Sequence, residues 1–142
     1  MKPKWWNKGK RHLNKRDKVM RKLLNAYQGH LTTRNNFFYS LTRSIISQQI
    51  SVSAADAVFL KFEKKCKRKI NPKTVSRLSI TDLRRCGLSR MKALGIKSLA
   101  DKILDKSFNP KLIKKMSDED AITYLSSLRQ IGRWSSEMVL IF

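Results

Sequence analysis

Apolar residues recur along this chain at spacings of three and four, the period of a helix with one buried face. Val19, Met20, Leu23, Leu24 and Tyr27 form one such stripe, and Phe37, Phe38, Leu41, Ile45 and Ile46 form a second. Ser51 or Ser53 offers the next N-cap, and Ser53 with Asp56 has nearly the spacing of a capping box. The helix that follows, through about Phe62, is small on one side (Ala54, Ala55, Ala57), bulky elsewhere, and ended by the basic tract Lys61 to Lys69. Asn71-Pro72 and Asn109-Pro110 each read as an N-cap followed by proline at the first helical position. Ser79 with Asp82 opens a short helix that Gly87 closes. Ser89 opens another, with Leu94, Leu99, Ile103 and Leu104 as its apolar face. Ser117 with Asp120 precedes Ala121, Ile122, Leu125 and Leu128. No stretch competes as a strand, so the pattern predicts an all-α fold, a bundle of about seven or eight short helices with short connections.

The end of the chain departs from that regularity. A last helix is expected to start near Trp134 and run through Met138, Val139, Leu140, Ile141 and Phe142. It offers no glycine, no basic last turn and no polar tail, one of which usually closes a helix. The expectation is a single helical domain over 1–142 that is incomplete at its C-terminus.

Composition narrows the function. Only 5 glycines and 3 prolines argue against a loop-rich chain, and 41% hydrophobic residues suffice for a core. Lys and Arg number 32 against 10 acids, a net charge of +22. Such a field favours polyanions, nucleic acid first and anionic membrane second. The longest apolar run, Met138 to Phe142, is 5 residues, far below the ~18 of a membrane span. The basic N-terminus lacks the apolar core of a secretory signal, so a soluble intracellular protein is expected. Cys66 and Cys86 have no metal or redox spacing and read as reduced, partly buried thiols; His12 and His30 read as surface residues. Residues 1–22 hold ten basic residues and one acid, with Trp5 and Trp6 interrupting the charge. Either this is a basic arm for nucleic acid or the tryptophans pack onto the core; packing is the expectation.

The chemistry concentrates between Leu128 and Met138. One helix stops, a tight turn centres on Ile131-Gly132, and another helix starts at once. Gly132 permits a positive φ or close backbone approach. The free N–H groups and positive dipole end of the new helix suit a phosphate oxygen, so the turn could grip a DNA backbone without reading sequence. An ordinary helix–turn–helix corner fits the spacing equally well.

Four blocks, in order, give a resemblance that covers nearly the whole chain. They are Trp6-Asn7-Lys8 through Leu13 with Arg16-Asp17-Lys18-Val19; Arg43-Ser44-Ile45-Ile46-Ser47-Gln48-Gln49-Ile50-Ser51 with Ala54-Ala55; Leu83-Arg84-Arg85-Cys86-Gly87-Leu88-Ser89-Arg90-Met91-Lys92-Ala93; and Leu128 to Met138. Together they resemble the helix-hairpin-helix (HhH-GPD) DNA glycosylase superfamily, in its DNA-3-methyladenine glycosylase II (AlkA-like) branch. The resemblance implies a monofunctional enzyme of base-excision repair. It would flip an alkylated purine out of double-stranded DNA and hydrolyse the N-glycosidic bond. It implies that Gln48 and Gln49 lie on a loop that probes the minor groove and fills the gap of the extruded base. In the alternative reading they are helix-end amides satisfying backbone groups. Ser51, Gln130, Ile131, Gly132, Arg133 and Ser135 would join them in binding DNA. Trp134 and Met138 would line the base pocket, where a π face suits a cationic alkylpurine; the alternative for Trp134 is a core anchor. The backbone carbonyls of Ser126, Leu128 and Ile131 would hold a monovalent cation; no cofactor is required, and the protein would be a monomer away from membranes.

Two departures qualify the resemblance. Gln130 stands where the family has the first hairpin glycine, at a cost of about 1 kcal/mol if that position needs φ > 0, and Ser136 replaces a small alanine. The family's catalytic aspartate is expected beyond Phe142, so activity is expected only of a longer form; Glu137 is not expected to replace it. The rival readings are a non-enzymatic helix-hairpin-helix DNA-binding module, a ribosome-type RNA-binding protein suggested by charge alone, and a poorly folding pseudogene product.

Overall fold

Eight of the helices open on a side chain that accepts a backbone N–H, and these caps decide where the elements begin. The computed structural model describes residues 2–32 and 36–141. Among them are nine α-helices and one 3₁₀ helix, and no strand. The α-helices are α1 (Trp6–Arg16), α2 (Lys18–Ala26), α3 (Phe37–Ser47), α4 (Val52–Lys65), α5 (Pro72–Ser76), α6 (Ile80–Arg85), α7 (Arg90–Leu104), α8 (Asp118–Ser126) and α9 (Arg133–Ile141). The 3₁₀ helix is Pro110–Lys115. Asp17, Asn36, Ser51, Asn71, Ser79, Ser89, Asn109 and Ser117 are the capping residues, each worth about 1 kcal/mol. At Ser79 and Asp82 the capping box is complete in both directions.

The described residues fall into two compact units. Those before Asn36 together with Ile141 form one, and Asn36–Leu140 form the other. In the first, α1 and α2 are amphipathic but bury no residue. Trp5 is 55% exposed and leans on Trp6 with ring centroids 5.9 Å apart. Trp6 is half-buried, so of the packing expected for the pair the structure shows the contact between the two rings, with Trp5 largely exposed. His12 and His30 are exposed, as expected.

The second unit holds a continuous core. Leu41, Ile45 and Ile46 from α3, Phe62 from α4, Val75 from α5, Leu83 from α6, Ile96 from α7 and Leu125 from α8 are fully buried. The long helix α7 is central, packing against α3, α5 and α6. Three details differ from the periodicity. The capping residue of α4 is Ser51, while Asp56 pairs with Arg43, whose guanidinium carbon lies 4.7 Å from the Phe59 ring centre. That helix turns Ala55, Phe59 and Phe62 inward and leaves Ala54, Ala57 and Leu60 exposed, so one alanine and two phenylalanines share the packed face. The face of α7 is Ala93, Gly95, Ile96, Leu99 and Ala100, with Leu104 outside, because small residues let neighbouring helices approach. Beyond α4 the chain reverses through Lys67 and Arg68 at φ 51° and 57°, a left-handed pair built without glycine. Burial pushes the Cys66 thiol up to about 11, and the neighbouring Cys86 adds to the rise. Both cysteines are unpaired and buried.

Candidate nucleic-acid interface

The hairpin is built from the end of α8, the six connecting residues 127–132 and the start of α9. Leu128 and Ile131 are buried and anchor it to the core. Ile131 donates its backbone N–H to the Leu128 carbonyl at 3.1 Å, which closes the turn. Ser136, fully buried, ties the two arms: its hydroxyl donates to the Gly132 carbonyl at 3.0 Å and lies 3.2 Å from the Ser126 hydroxyl. The small residue at this position therefore fastens the hairpin, a role the sequence did not suggest.

The left-handed residue of the turn is Gln130, at φ 66°. Gly132, expected to use that freedom, is not among the positive-φ residues. Its hydrogen faces open space instead, with nothing within 4 Å of where a Cβ would stand. The bend at Gly132 is thus exposed, with an uncovered backbone next to the N-terminus of α9. The strained Gln130 is accommodated from two sides. Its carbonyl accepts a hydrogen bond from the Gln48 side-chain amide at 2.8 Å. Its side chain lies over Gly95 of α7, where a Cβ would come within 2.8 Å of Gln130 Cγ.

An open cavity of about 580 Å³ adjoins the hairpin, lined by Ser44, Ser47, Gln48, Gln49, Ser89, Met91, Lys92, Gln130 and Trp134. Its size falls in the range of small-ligand sites. Four residues singled out from sequence, from segments over 80 positions apart, meet here: Gln48, Gln49, Gln130 and Trp134. Trp134 is 66% exposed, so the core-anchor reading fails and a flat aromatic face is presented at the cavity edge. The two glutamines separate. Gln48 is half-buried and bonded to the Gln130 carbonyl and, at 3.3 Å, to the Ser135 hydroxyl. Gln49 is exposed and left-handed, at φ 56°. For Gln48 the structure therefore supports the reading of a helix-end amide satisfying backbone.

The remaining expected residues are distributed as follows. Ser51 caps α4 through the Ala54 N–H. Ser135 is buried, its hydroxyl facing Gln48, which leaves its backbone rather than its side chain toward the helix start. Met138 is half-buried and not among the cavity-lining residues. Arg133 is engaged: its guanidinium donates to Glu119 at 2.6 and 3.1 Å and to Glu137 at 2.9 Å. Glu119, hydrogen-bonded to that guanidinium, is held below the usual carboxylate range. Lys92, which the sequence pattern does not single out, also borders the cavity. Its ammonium donates to the carbonyls of Ile46 at 2.9 Å and Gln48 at 2.6 Å, and burial lowers its pKa. A lysine at the third position of a helix gives no such signal in sequence; the contact with Gln48 spans 44 positions.

Residues 42–137 match the HhH-GPD family, described as "HhH-GPD superfamily base excision DNA repair protein". Two curated proteins of Schizosaccharomyces pombe are similar. "Alkylbase DNA glycosidase-like protein mag2" is 31% identical over 109 residues, 74% of this chain and 51% of that protein. "DNA-3-methyladenine glycosylase 1" is 31% identical over 108 residues, 74% of this chain and 47% of that protein. The chain thus spans about half the length of the curated relatives it matches. Among solved structures, S. pombe 3-methyladenine DNA glycosylase (Mag1) in complex with abasic DNA superposes with a TM-score of 0.82 at 27% identity, over 95% of this chain and 69% of that one. With the family match covering the hairpin, the glutamine loop and the helices between them, this chain belongs to the HhH-GPD superfamily of base excision DNA repair proteins.

Proposed function

We propose that this chain carries the DNA-gripping and base-receiving half of a glycosylase acting on alkylated purines, 3-methyladenine among them. The observation that carries the proposal is the meeting of Gln49, Gln130 and Trp134 on one cavity beside the exposed Gly132 bend. The bend and the first turn of α9 would hold a phosphate by backbone N–H groups. Gln49 would enter the gap left by an everted nucleotide, and its amide could hydrogen-bond the orphaned partner base. The everted purine would stack on Trp134; a cationic alkylpurine gains cation–π attraction there. The positive base is already a good leaving group. Water adds to C1′ as the C1′–N bond breaks, the base departs neutral, and the proton of the water is released. The uncharged carbonyls of Ser126, Leu128 and Ile131 would suit a monovalent cation stiffening the turn; the Leu128 carbonyl accepts one hydrogen bond and keeps a second lone pair. No described helix is long and apolar enough to cross a membrane, and the protein would act where genomic DNA lies, in a prokaryotic cytoplasm or nucleoid or in a nucleus.

One observation favours a second reading. Among the described residues, no residue lining the cavity is acidic, whereas hydrolysis calls for a carboxylate to steady the oxocarbenium-like sugar and guide water. A helix-hairpin-helix module that binds damaged DNA without cleaving it fits that lining. Equilibrium binding to duplex DNA with a tetrahydrofuran abasic analogue, to undamaged duplex and to duplex RNA tests what both readings share. The abasic duplex is expected to bind tightest; equal binding to all three, or preference for RNA, overturns the proposal. Release of 3-methyladenine from methylated DNA then separates enzyme from module.

A further inference from the structure

The loop that carries Gln49 has no reason of its own to hold its shape. Helix α3 ends at Ser47 with no backbone cap, its last carbonyls turned toward the loop, and Gln49 then adopts a left-handed conformation that a non-glycine residue enters at a cost of about 1 kcal/mol. What holds it comes from elsewhere. Lys92, in the first turn of α7, places its ammonium on the carbonyls of Ile46 and Gln48, where a cation also meets the negative end of the α3 dipole. From Gln48 the connection continues, its side-chain amide donating to the Gln130 carbonyl and the Ser135 hydroxyl. Three elements distant in sequence are thereby joined in series: α7, the glutamine loop, and the hairpin. Every link is half-buried or buried, where an unmade hydrogen bond costs more than on the surface.

We propose that Lys92 is a positioning residue that fixes Gln49 relative to the hairpin, by way of the Ile46 and Gln48 carbonyls and the Gln48–Gln130 bond. The inference rests on the damaged-DNA reading above. Lys92 then does not bind phosphate: its ammonium is committed to two carbonyls, and its task is to keep the distance between the probing amide and the phosphate-gripping bend constant. If that distance wanders, the chain still meets DNA through its general positive charge but loses the extra affinity for a site with a gap.

The experiment compares the wild-type chain with Lys92→Met, which keeps the apolar stem and removes the donors, and Lys92→Arg, which keeps charge and donors. Affinities for tetrahydrofuran-containing and undamaged duplexes are measured from 50 to 200 mM salt, alongside thermal melts. For Lys92→Met the preference for the abasic duplex is expected to fall at least tenfold relative to wild type, with an unchanged salt slope, and Lys92→Arg is expected to recover most of it. A phosphate contact would instead weaken both duplexes alike and flatten the slope by about one. That result, or a lowered melting temperature with the preference intact, overturns the proposal. Should Lys92→Met fail to fold, Gln48→Met cuts the next link and is expected to lose the preference in the same way; retention there overturns it. A wild-type chain with no abasic preference would refute the damaged-DNA reading itself, a different outcome from any of these.

Discussion

Gly95 and Gln130 should be strongly coupled, and the sign of one substitution should reverse with the other. Glycine inside α7 is a liability, since alanine is favoured there by about 1 kcal/mol. Yet a Cβ at position 95 would stand 2.8 Å from Gln130 Cγ, 3.1 Å from Gln130 Cβ and 3.2 Å from the Arg129 carbonyl oxygen. Gln130 has little room to yield, because its backbone is held in the left-handed region by the Gln48 amide. Overpacking of this kind costs roughly 1–3 kcal/mol, so Gly95→Ala in the wild-type chain is expected to destabilise by about 1 kcal/mol net. In a Gln130→Gly background both side-chain atoms are gone. The clash is reduced to the 3.2 Å carbonyl contact, and the helix preference for alanine should emerge as a gain of several tenths of a kcal/mol. Gln130→Gly alone should fall between neutral and about 1 kcal/mol stabilising: relief of the left-handed glutamine is partly offset by the freer unfolded chain. The coupling across the four proteins is then roughly 1–2 kcal/mol. Urea denaturation followed by circular dichroism reads it, provided the four slopes agree. Additivity within about 0.5 kcal/mol, the behaviour of independent sites, would show that Gln130 does not sit over Gly95.

Three further outcomes follow from other parts of the unit. Thr42 is fully buried and its hydroxyl has no partner among the described residues, so Thr42→Val should stabilise by about 1 kcal/mol and raise Tm by several degrees; a fall in Tm would mean the hydroxyl is satisfied. Cys66, with its thiol raised from 9.0 to about 11 in the fold, stays protonated while the unfolded thiol ionises. The unfolded state then binds fewer protons, so stability should decline as pH rises from 9 to 11; a decline equally steep in Cys66→Ala would assign it to other groups. Glu119→Ala should release two of the three hydrogen bonds that engage Arg133 and make the salt dependence of DNA binding steeper by about 0.9 in log–log slope; an unchanged slope would mean that Arg133 stays held by Glu137 or never faces phosphate.

Much of the fold was legible because its boundaries are local chemistry. The Ser79–Asp82 box, the Asn-Pro pairs and Ser89 and Ser117 act through contacts two or three residues away, which spacing alone reveals. What stayed hidden depended on distance. Nothing near Asp56 says that it will choose Arg43 over Ser53, and nothing in Lys67-Arg68 says that a helix will end there in left-handed residues without glycine. On α7 the large residues Leu99 and Ile103 do face the core and Leu104 does not, and the close approach of its neighbours uses Ala93, Gly95 and Ala100, which counting large residues leaves out. Small residues carry little weight in a hydrophobic pattern and much in a packed one.

The site follows the same division. Residue types suited to DNA and a cationic base could be recognised as chemistry: an aromatic face, free amides, a glycine bend. Their support could not, because it consists of polar groups from α7 and α3 that look like ordinary surface residues in sequence. The glutamine at the first hairpin position makes the point. Judged locally, Gln130 is a strained substitution at a turn that wants glycine. In the folded unit its strain is shared: the carbonyl exposed by the left-handed turn takes the Gln48 amide, and the side chain occupies the space that Gly95 leaves open. That arrangement also removes Gln48 from direct service at the DNA and leaves Gln49 as the free amide. A hairpin with glycine at position 130 would need neither the bare patch on α7 nor a side chain above it, but its carbonyl would still take the Gln48 amide, so the composition of the hairpin is set together with Gly95, and the choice of Gln49 as the probing residue with the backbone of the turn.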